Sequence, residues 1–222
     1  PKFEQPHKFT GSQSALRRDG SAMEYVETPR HLTKLMEEHG DRILACEPVA
    51  PNVAIYYPEE SVRFAKDAGY AAIQRDTVFG ASSMWNRAQY PTQILNTKWL
   101  LREDLSTYSL IYLPVSYLLM PEVGAKLRAY VEQGGVLVSE ARPGYVGEDG
   151  WLYDEQPGAG LADVFGVKED LFWNPDELTV TTTLGDLEIP SRYIDVAQSF
   201  RLNGADAVAV TPEGDVMGAR HA

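Results

Sequence analysis

The 222-residue sequence predicts an α/β fold, a mostly parallel sheet wound with helices on both faces. Three observations predict it. First, Leu110 to Glu140, LIYLPVSYLLMPEVGAKLRAYVEQGGVLVSE, reads as strand, helix, strand, and two parallel strands need a helical crossover of this length. Second, Val53-Ala54-Ile55-Tyr56-Tyr57 is another short apolar run, of the kind a strand covered on both faces requires. Third, strands and helices alternate between these runs, which is the pattern of a parallel sheet.

Taken in order, residues 1–23 hold no periodic element, and Arg17-Arg18-Asp19-Gly20-Ser21 reads as a turn. A helix is predicted from Thr28 as N-cap with Pro29 at the first position. Leu32, Leu35, Met36, His39 and Ile43 mark one face, which carries it past Gly40 towards Cys46. Pro48, Pro51 and Asn52 read as a linker, so residues 1–49 form an N-terminal extension and residues 50–222 the α/β domain. After the strand at 53–57, Glu59 to Gly69 reads as a short helix with Val62 and Ala65 inward.

Ala71 to Ser83 is weakly patterned and reads as a connection. Met84, Trp85, Ala88, Ile94 and Leu95 are spaced for a helix that Pro91 kinks or starts. Lys98-Trp99-Leu100-Leu101 reads as the next strand and leads through Arg102-Glu103-Asp104-Leu105 to the strand at 110–113. Pro121 opens the crossover helix, whose apolar face is Val123, Leu127, Tyr130 and Val131. Gly134-Gly135 end it, and Val136-Leu137-Val138 is the following strand. This order matches a flavodoxin-like, doubly wound sheet.

Beyond Glu140, residues 141–160 form a glycine-rich, acidic and aromatic loop, and residues 161–166 form one helical turn ending on glycine. The remainder is β-branched and strand-rich at 178–182, 193–196 and 207–210. Met217 to Ala222 offers no capping element and reads as an interrupted end.

Composition narrows the function classes. A net charge of −12 and a pI near 4.8 disfavour nucleic acid and anionic lipid as partners. No run approaches the ~20 apolar residues of a membrane helix, and no signal-peptide pattern opens the chain. Cys46 is the only cysteine, which excludes an internal disulfide and a Cys-rich zinc site and fits a cytoplasmic chain. No phosphate loop, dinucleotide fingerprint or metal-ligand spacing is present, so no cofactor or metal is expected.

Ligands of open parallel sheets bind beyond the carboxyl ends of the strands. That rule selects Pro114-Val115-Ser116-Tyr117 and Glu140-Ala141-Arg142-Pro143-Gly144-Tyr145. The second is the place of a nucleophile elbow, where an amidotransferase would need a cysteine. Ser139, Glu140, Ala141 and Arg142 stand there instead. Ser116 lacks the flanking glycines of a strained elbow, and no histidine has a claim as its base. Glu140 ends a buried strand and needs a partner, for which Arg142 is the nearest candidate. Glu148, Asp149, Asp154 and Glu155 with Trp151 and Tyr153 form either a sugar-facing lip or a solvated loop covering the sheet end.

The run Glu103-Asp104-Leu105-Ser106-Thr107-Tyr108-Ser109-Leu110-Ile111-Tyr112-Leu113-Pro114 resembles the middle domain of glycoside hydrolase family 42 β-galactosidases. So do LRAYVEQGGVLVSEARPGYVGEDGW and PGAGLADVFGV, and the resemblance covers about residues 50 to 215. It implies a class I glutamine-amidotransferase-like fold without the amidotransferase nucleophile, serving assembly of a homotrimer. Residues 14–47 are similar to the last strand-to-helix segment of that family's (β/α)8 barrel.

The family's catalytic glutamates lie upstream of anything matched here, so no catalytic residue carries over. The middle domain of one subunit can border the barrel pocket of another. On that resemblance Glu140, Arg142, Tyr145 and Trp151 are the candidate contacts to a β-galactoside-type sugar. Two alternatives stay open: a stand-alone hydrolase using Glu140 or Ser116, and a carbohydrate-binding module built on residues 141–156.

Overall fold

A computed structural model describes residues 19, 21, 27–67, 71–190 and 197–222. The chain divides into two compact units, Pro1–Val49 and Ala50–Ala222. In the first unit α1 spans Glu27–Leu44. It starts one residue before the expected cap at Thr28, runs through Gly40 and stops two residues short of Cys46. Its apolar residues Leu32, Met36 and Ile43 are exposed. Most of the irregular stretch at 1–23 lies outside the described residues.

The second unit opens with β1 (Val53–Tyr57), buried at its first four positions, and α2 (Glu59–Asp67). Residues 71–83, expected to be a connection, are helical: α3 spans Ala71–Arg87. Its weak amphipathicity hides it from periodicity, since Val78 and Ala81 are small inward residues while Phe79 and Met84 face solvent. The helix expected over 84–95 holds only as far as Arg87, and the strand expected after it is displaced. The strand is β2 (Thr92–Asn96), and the expected strand at 98–101 is inside α4 (Thr97–Arg102). Asn96 decides the boundary, because its side chain accepts from the Trp99 N–H at 2.9 Å and so caps a helix. Pro91 then precedes the strand rather than kinking a helix.

A 3-10 turn at Leu105–Thr107 leads to β3 (Leu110–Leu113), α5 (Pro121–Glu132) and β4 (Val136–Ser139), as expected from the sequence. Pro121 opens α5, and Gly134 at φ +92° turns the chain out of it. Gly135 is required for a different reason: a Cβ there would lie 2.3 Å from the Tyr130 ring.

These strands make a four-stranded parallel sheet in the order β2-β1-β3-β4, in which the chain winds one way from β1 to β2 and the other way from β3 to β4. Register assigns the faces. Ala54, Tyr56, Leu95, Ile111 and Leu113 share one face and form the core with Leu100, Leu119, Val123, Leu127 and Tyr130. Each leucine, isoleucine or valine among them contributes about 1.5–3 kcal/mol through burial. The other face carries Val53, Ile55, Ile94, Leu110, Tyr112, Val136 and Val138.

The single, mostly parallel sheet expected from the sequence is half of the architecture. After the short helix α6 (Ala162–Phe165) come six strands: β5 (Val167–Trp173), β6 (Glu177–Thr182), β7 (Gly185–Pro190), β8 (Ala197–Leu202), β9 (Asp206–Val210) and β10 (Val216–Arg220). They pair antiparallel in the order β5-β8-β10-β9-β6-β7. Tight turns through Gly185 (φ +117°) and Gly214 (φ +98°) leave no length for a crossover, so neighbouring strands must run antiparallel. The strands expected at 178–182 and 207–210 lie in β6 and β9. The one at 193–196 lies outside the described residues.

Candidate functional site

The carboxyl ends of β3 and β4 present the two segments that the sequence singles out. Glu140 leaves β4 with its N–H bonded to the Leu113 carbonyl at 3.0 Å. Its carboxylate accepts from the Tyr112 hydroxyl at 2.9 Å and from the Val115 N–H at 3.3 Å. Burial pushes its pKa above the ordinary carboxylate value, and the two hydrogen bonds offset only part of that. Tyr112 is raised in turn, chiefly by its own burial and then by the charge of Glu140. Ser116 is fully buried, and its hydroxyl donates to the Pro114 carbonyl at 2.7 Å. That geometry holds the hydroxyl against the backbone rather than presenting it to a substrate.

The ion pair expected between Glu140 and Arg142 is not formed. Arg142 has φ +54°, a left-handed backbone that swings its side chain away from β4. The guanidinium forks onto Glu169 of β5, with Nε to Oε2 at 2.9 Å and Nη2 to Oε1 at 3.0 Å. Nη1 donates to the Tyr117 hydroxyl at 3.2 Å, and the plane lies between the rings of Tyr145 (4.1 Å) and Phe172 (3.3 Å). Gln198 of β8 completes the cluster, accepting the Arg142 N–H at 3.0 Å and donating to Glu169. Both charged side chains are nearly enclosed, 12% exposed for Arg142 and 17% for Glu169. The cluster therefore fastens the end of β4 to the antiparallel sheet.

Residues 141–147 and 156–159 are packed, whereas 148–152, 154 and 155, with the acidic side chains Glu148, Asp149, Asp154 and Glu155, are exposed. Gly144 and Val146 donate to the carbonyls of Ser116 and Tyr117 at 2.8 and 3.0 Å, and Gly158 donates to Pro143 at 3.1 Å. A Cβ on Gly158 would sit 1.9 Å from the Gly144 carbonyl oxygen, so this crossing needs glycine. Tyr153 points inward and donates to the Leu119 carbonyl at 2.9 Å. Trp151 does the opposite. It stands at the tip, 77% exposed, on a turn held by Asp149 accepting its N–H at 3.0 Å.

The structure thus brings Arg142 and Tyr145 together, places Glu140 with Tyr112, and leaves Trp151 apart. Beside the cluster, an open depression of about 330 Å³ is lined by Glu155, Gln156, Lys168, Glu169, Asp170 and Arg201 among others. Its cations are paired, Lys168 with Glu155 at 2.6 Å and Arg201 with Asp170 at 2.7 Å. Among the described residues no group of three or more His, Cys, Asp or Glu side chains is arranged to hold a metal ion. No helix there is long and apolar enough to cross a membrane.

The family model described as beta-galactosidase trimerisation domain matches residues 52–217. The chain belongs to that family. Its match begins one residue before β1 and runs into β10, so the trimerisation domain includes the antiparallel sheet as well as the parallel one.

The beta-galactosidase Pbg of Clostridium perfringens is 30% identical over 105 residues, covering 46% of this chain and 15% of that protein. Solved structures share the fold. The catalytic mutant of Gan42B, a beta-galactosidase from G. stearothermophilus, is 20% identical with a TM-score of 0.74, over 99% of this chain and 35% of that one. An exo-beta-1,4-mannosidase from Opitutaceae bacterium strain TAV5 is 16% identical with a TM-score of 0.60, over 99% of this chain and 38% of that one. The chain therefore spans about a third of these solved chains and a smaller part of the curated relative.

Sequence reasoning missed the partners of Arg142. Glu169, Phe172 and Gln198 lie 27 or more residues downstream in strands whose pairing the sequence did not disclose. The one available signal was the physical demand of a buried arginine for a carboxylate.

Proposed function

We propose that this chain is the self-associating, trimer-forming part of a β-galactosidase-like glycoside hydrolase, and that it assembles and completes a sugar pocket rather than hydrolysing a glycoside itself. The match of residues 52–217 to a trimerisation domain carries this reading. The elbow supports it, since the position that bears an amidotransferase's nucleophile bears Glu140, tied to Tyr112 and Val115. In this reading the parallel unit is a flavodoxin-like sheet of the class I glutamine-amidotransferase type, for which the order β2-β1-β3-β4 is the support. Residues 1–49 are then the closing segment of a (β/α)8 barrel, and the enzyme works in the cytoplasm. Sedimentation equilibrium of the chain tests the reading: the expected mass is three times 24.7 kDa. A monomer at all concentrations overturns it, as does hydrolysis of an aryl β-galactoside by this chain alone.

A second reading, that residues 141–151 reach a sugar, is favoured by one observation, the outward Trp151. Glu140, Arg142 and Tyr145 would then act from behind, by holding the loop. Calorimetric titration of the assembled protein with galactose checks it, and heat that survives Trp151→Ala counts against it.

A further inference from the structure

The two faces of the parallel sheet are covered unequally. On the core face α5 closes β3, and Ile111 and Leu113 are fully buried. On the other face α3 lies over β1 and β2, burying Val53 and Ile55, and the Trp85 ring meets the Tyr112 ring edge-on at 6.2 Å. There the cover stops. Val136 is 52% exposed, and Leu110, Tyr112 and Val138 are only half-buried. Register places these four side chains side by side, Leu110 against Val136 and Tyr112 against Val138. β4 is also the edge of its sheet. Parallel sheets are covered on both faces, so an apolar half-face open to solvent needs a cover.

We propose that this half-face of β3 and β4 is the core of the surface through which copies of this chain associate, and that a second copy covers it. The proposal rests on the self-association reading above and locates it. One argument favours a copy of the chain as the occupant, and a second chooses the place. The match of residues 52–217 to a trimerisation domain favours a contact between copies somewhere on them.

Charge then chooses the place. Each copy carries −12, so approach is opposed over most of the surface and least opposed where charge is absent. The strand residues of this half-face carry none. The first charge at its end is Glu140, already held by Tyr112 and Val115. A ring of three closes only through heterologous contacts, so the half-face meets a different patch on its neighbour and β4 does not pair with its own copy.

The test is sedimentation equilibrium of the whole chain and three variants, with circular dichroism and thermal unfolding to verify the fold. Val136→Glu puts a charge at the exposed centre of the half-face. Val136→Thr keeps the β-branched shape and removes a methyl group's apolarity. Ala125→Glu adds the same charge on the solvent side of α5, across the sheet. The expected result is a trimeric parent, a trimeric Ala125→Glu chain and a Val136→Glu chain dissociated at least tenfold more readily.

If Val136→Glu does not fold, Val136→Thr decides, with a severalfold weaker association expected and an unchanged one overturning the proposal. A trimeric, folded Val136→Glu chain overturns the surface and leaves self-association standing. Equal dissociation by Val136→Glu and Ala125→Glu overturns it too, since charge alone would explain the effect. A monomeric parent overturns both readings.

Discussion

Two charged side chains two positions apart in sequence have different tasks in the structure. Glu140 and Arg142 look like an ion pair because each needs a partner and the other is near. The left-handed backbone at Arg142 separates them, and each finds its partners elsewhere, Tyr112 for one and Glu169 for the other. A sequence discloses the need of a buried charge but not the direction in which one φ angle sends it. Glu140 is left as a carboxylate without a cation among its hydrogen-bond partners, and its raised pKa is testable.

With its native pKa above the unfolded value, Glu140 takes up its proton in the folded state first. Its contribution to stability is complete below the ordinary carboxylate range and is lost as pH rises through the raised value. Glu140→Gln removes that titration while keeping an acceptor for Tyr112. The melting temperature of the variant minus that of the parent is expected to fall as pH drops from neutrality into the carboxylate range. A difference that stays constant with pH would show that Glu140 is not strained by burial.

At the scale of elements, those that carry their own boundary signals were legible. α5 has Pro121 at its start, three inward residues at helical spacing and Gly134 at its end, and it forms as read. β2 and α4 were displaced because their boundary is a single hydrogen bond, accepted by the Asn96 side chain from the Trp99 N–H, which competes with an apolar run that looks like a strand. α3 was missed because it has almost no apolar stripe.

Glycines at the two kinds of position provide a matched test. Gly80 lies inside α3 with open space at its Cβ direction, so Gly80→Ala is expected to stabilise the fold by about 0.5–1 kcal/mol. Gly134 has equally open space but φ +92°, so Gly134→Ala is expected to cost about 1 kcal/mol. Chemical denaturation of both variants checks the pair. Equal effects would mean that backbone conformation at Gly134 is not what selects glycine there.

For the molecule as a whole, what stayed hidden was long-range pairing. In the parallel unit the β3-α5-β4 step was readable because it is local in sequence. The antiparallel sheet places β5 beside β8 and β10 beside both β8 and β9, and nothing in a strand of six residues names its neighbour. The same limit applies one level up, to contacts between copies.

Charge nevertheless constrains that level. If copies that each carry −12 meet through the uncharged half-face proposed above, they repel at long range and attract at contact. Salt screens the first and leaves the second largely untouched. Raising sodium chloride from about 0.1 M to about 1 M shortens the screening length from about 10 Å to about 3 Å. On that proposal the association is expected to tighten with salt, read as a dissociation constant that falls in sedimentation equilibrium. An association held by ion pairs across the interface would weaken over the same range. The sign of the salt dependence thus separates an apolar contact from a charged one without any substitution, and a weakening would move the search for the interface to the charged rim of the antiparallel sheet around Arg201 and Lys168.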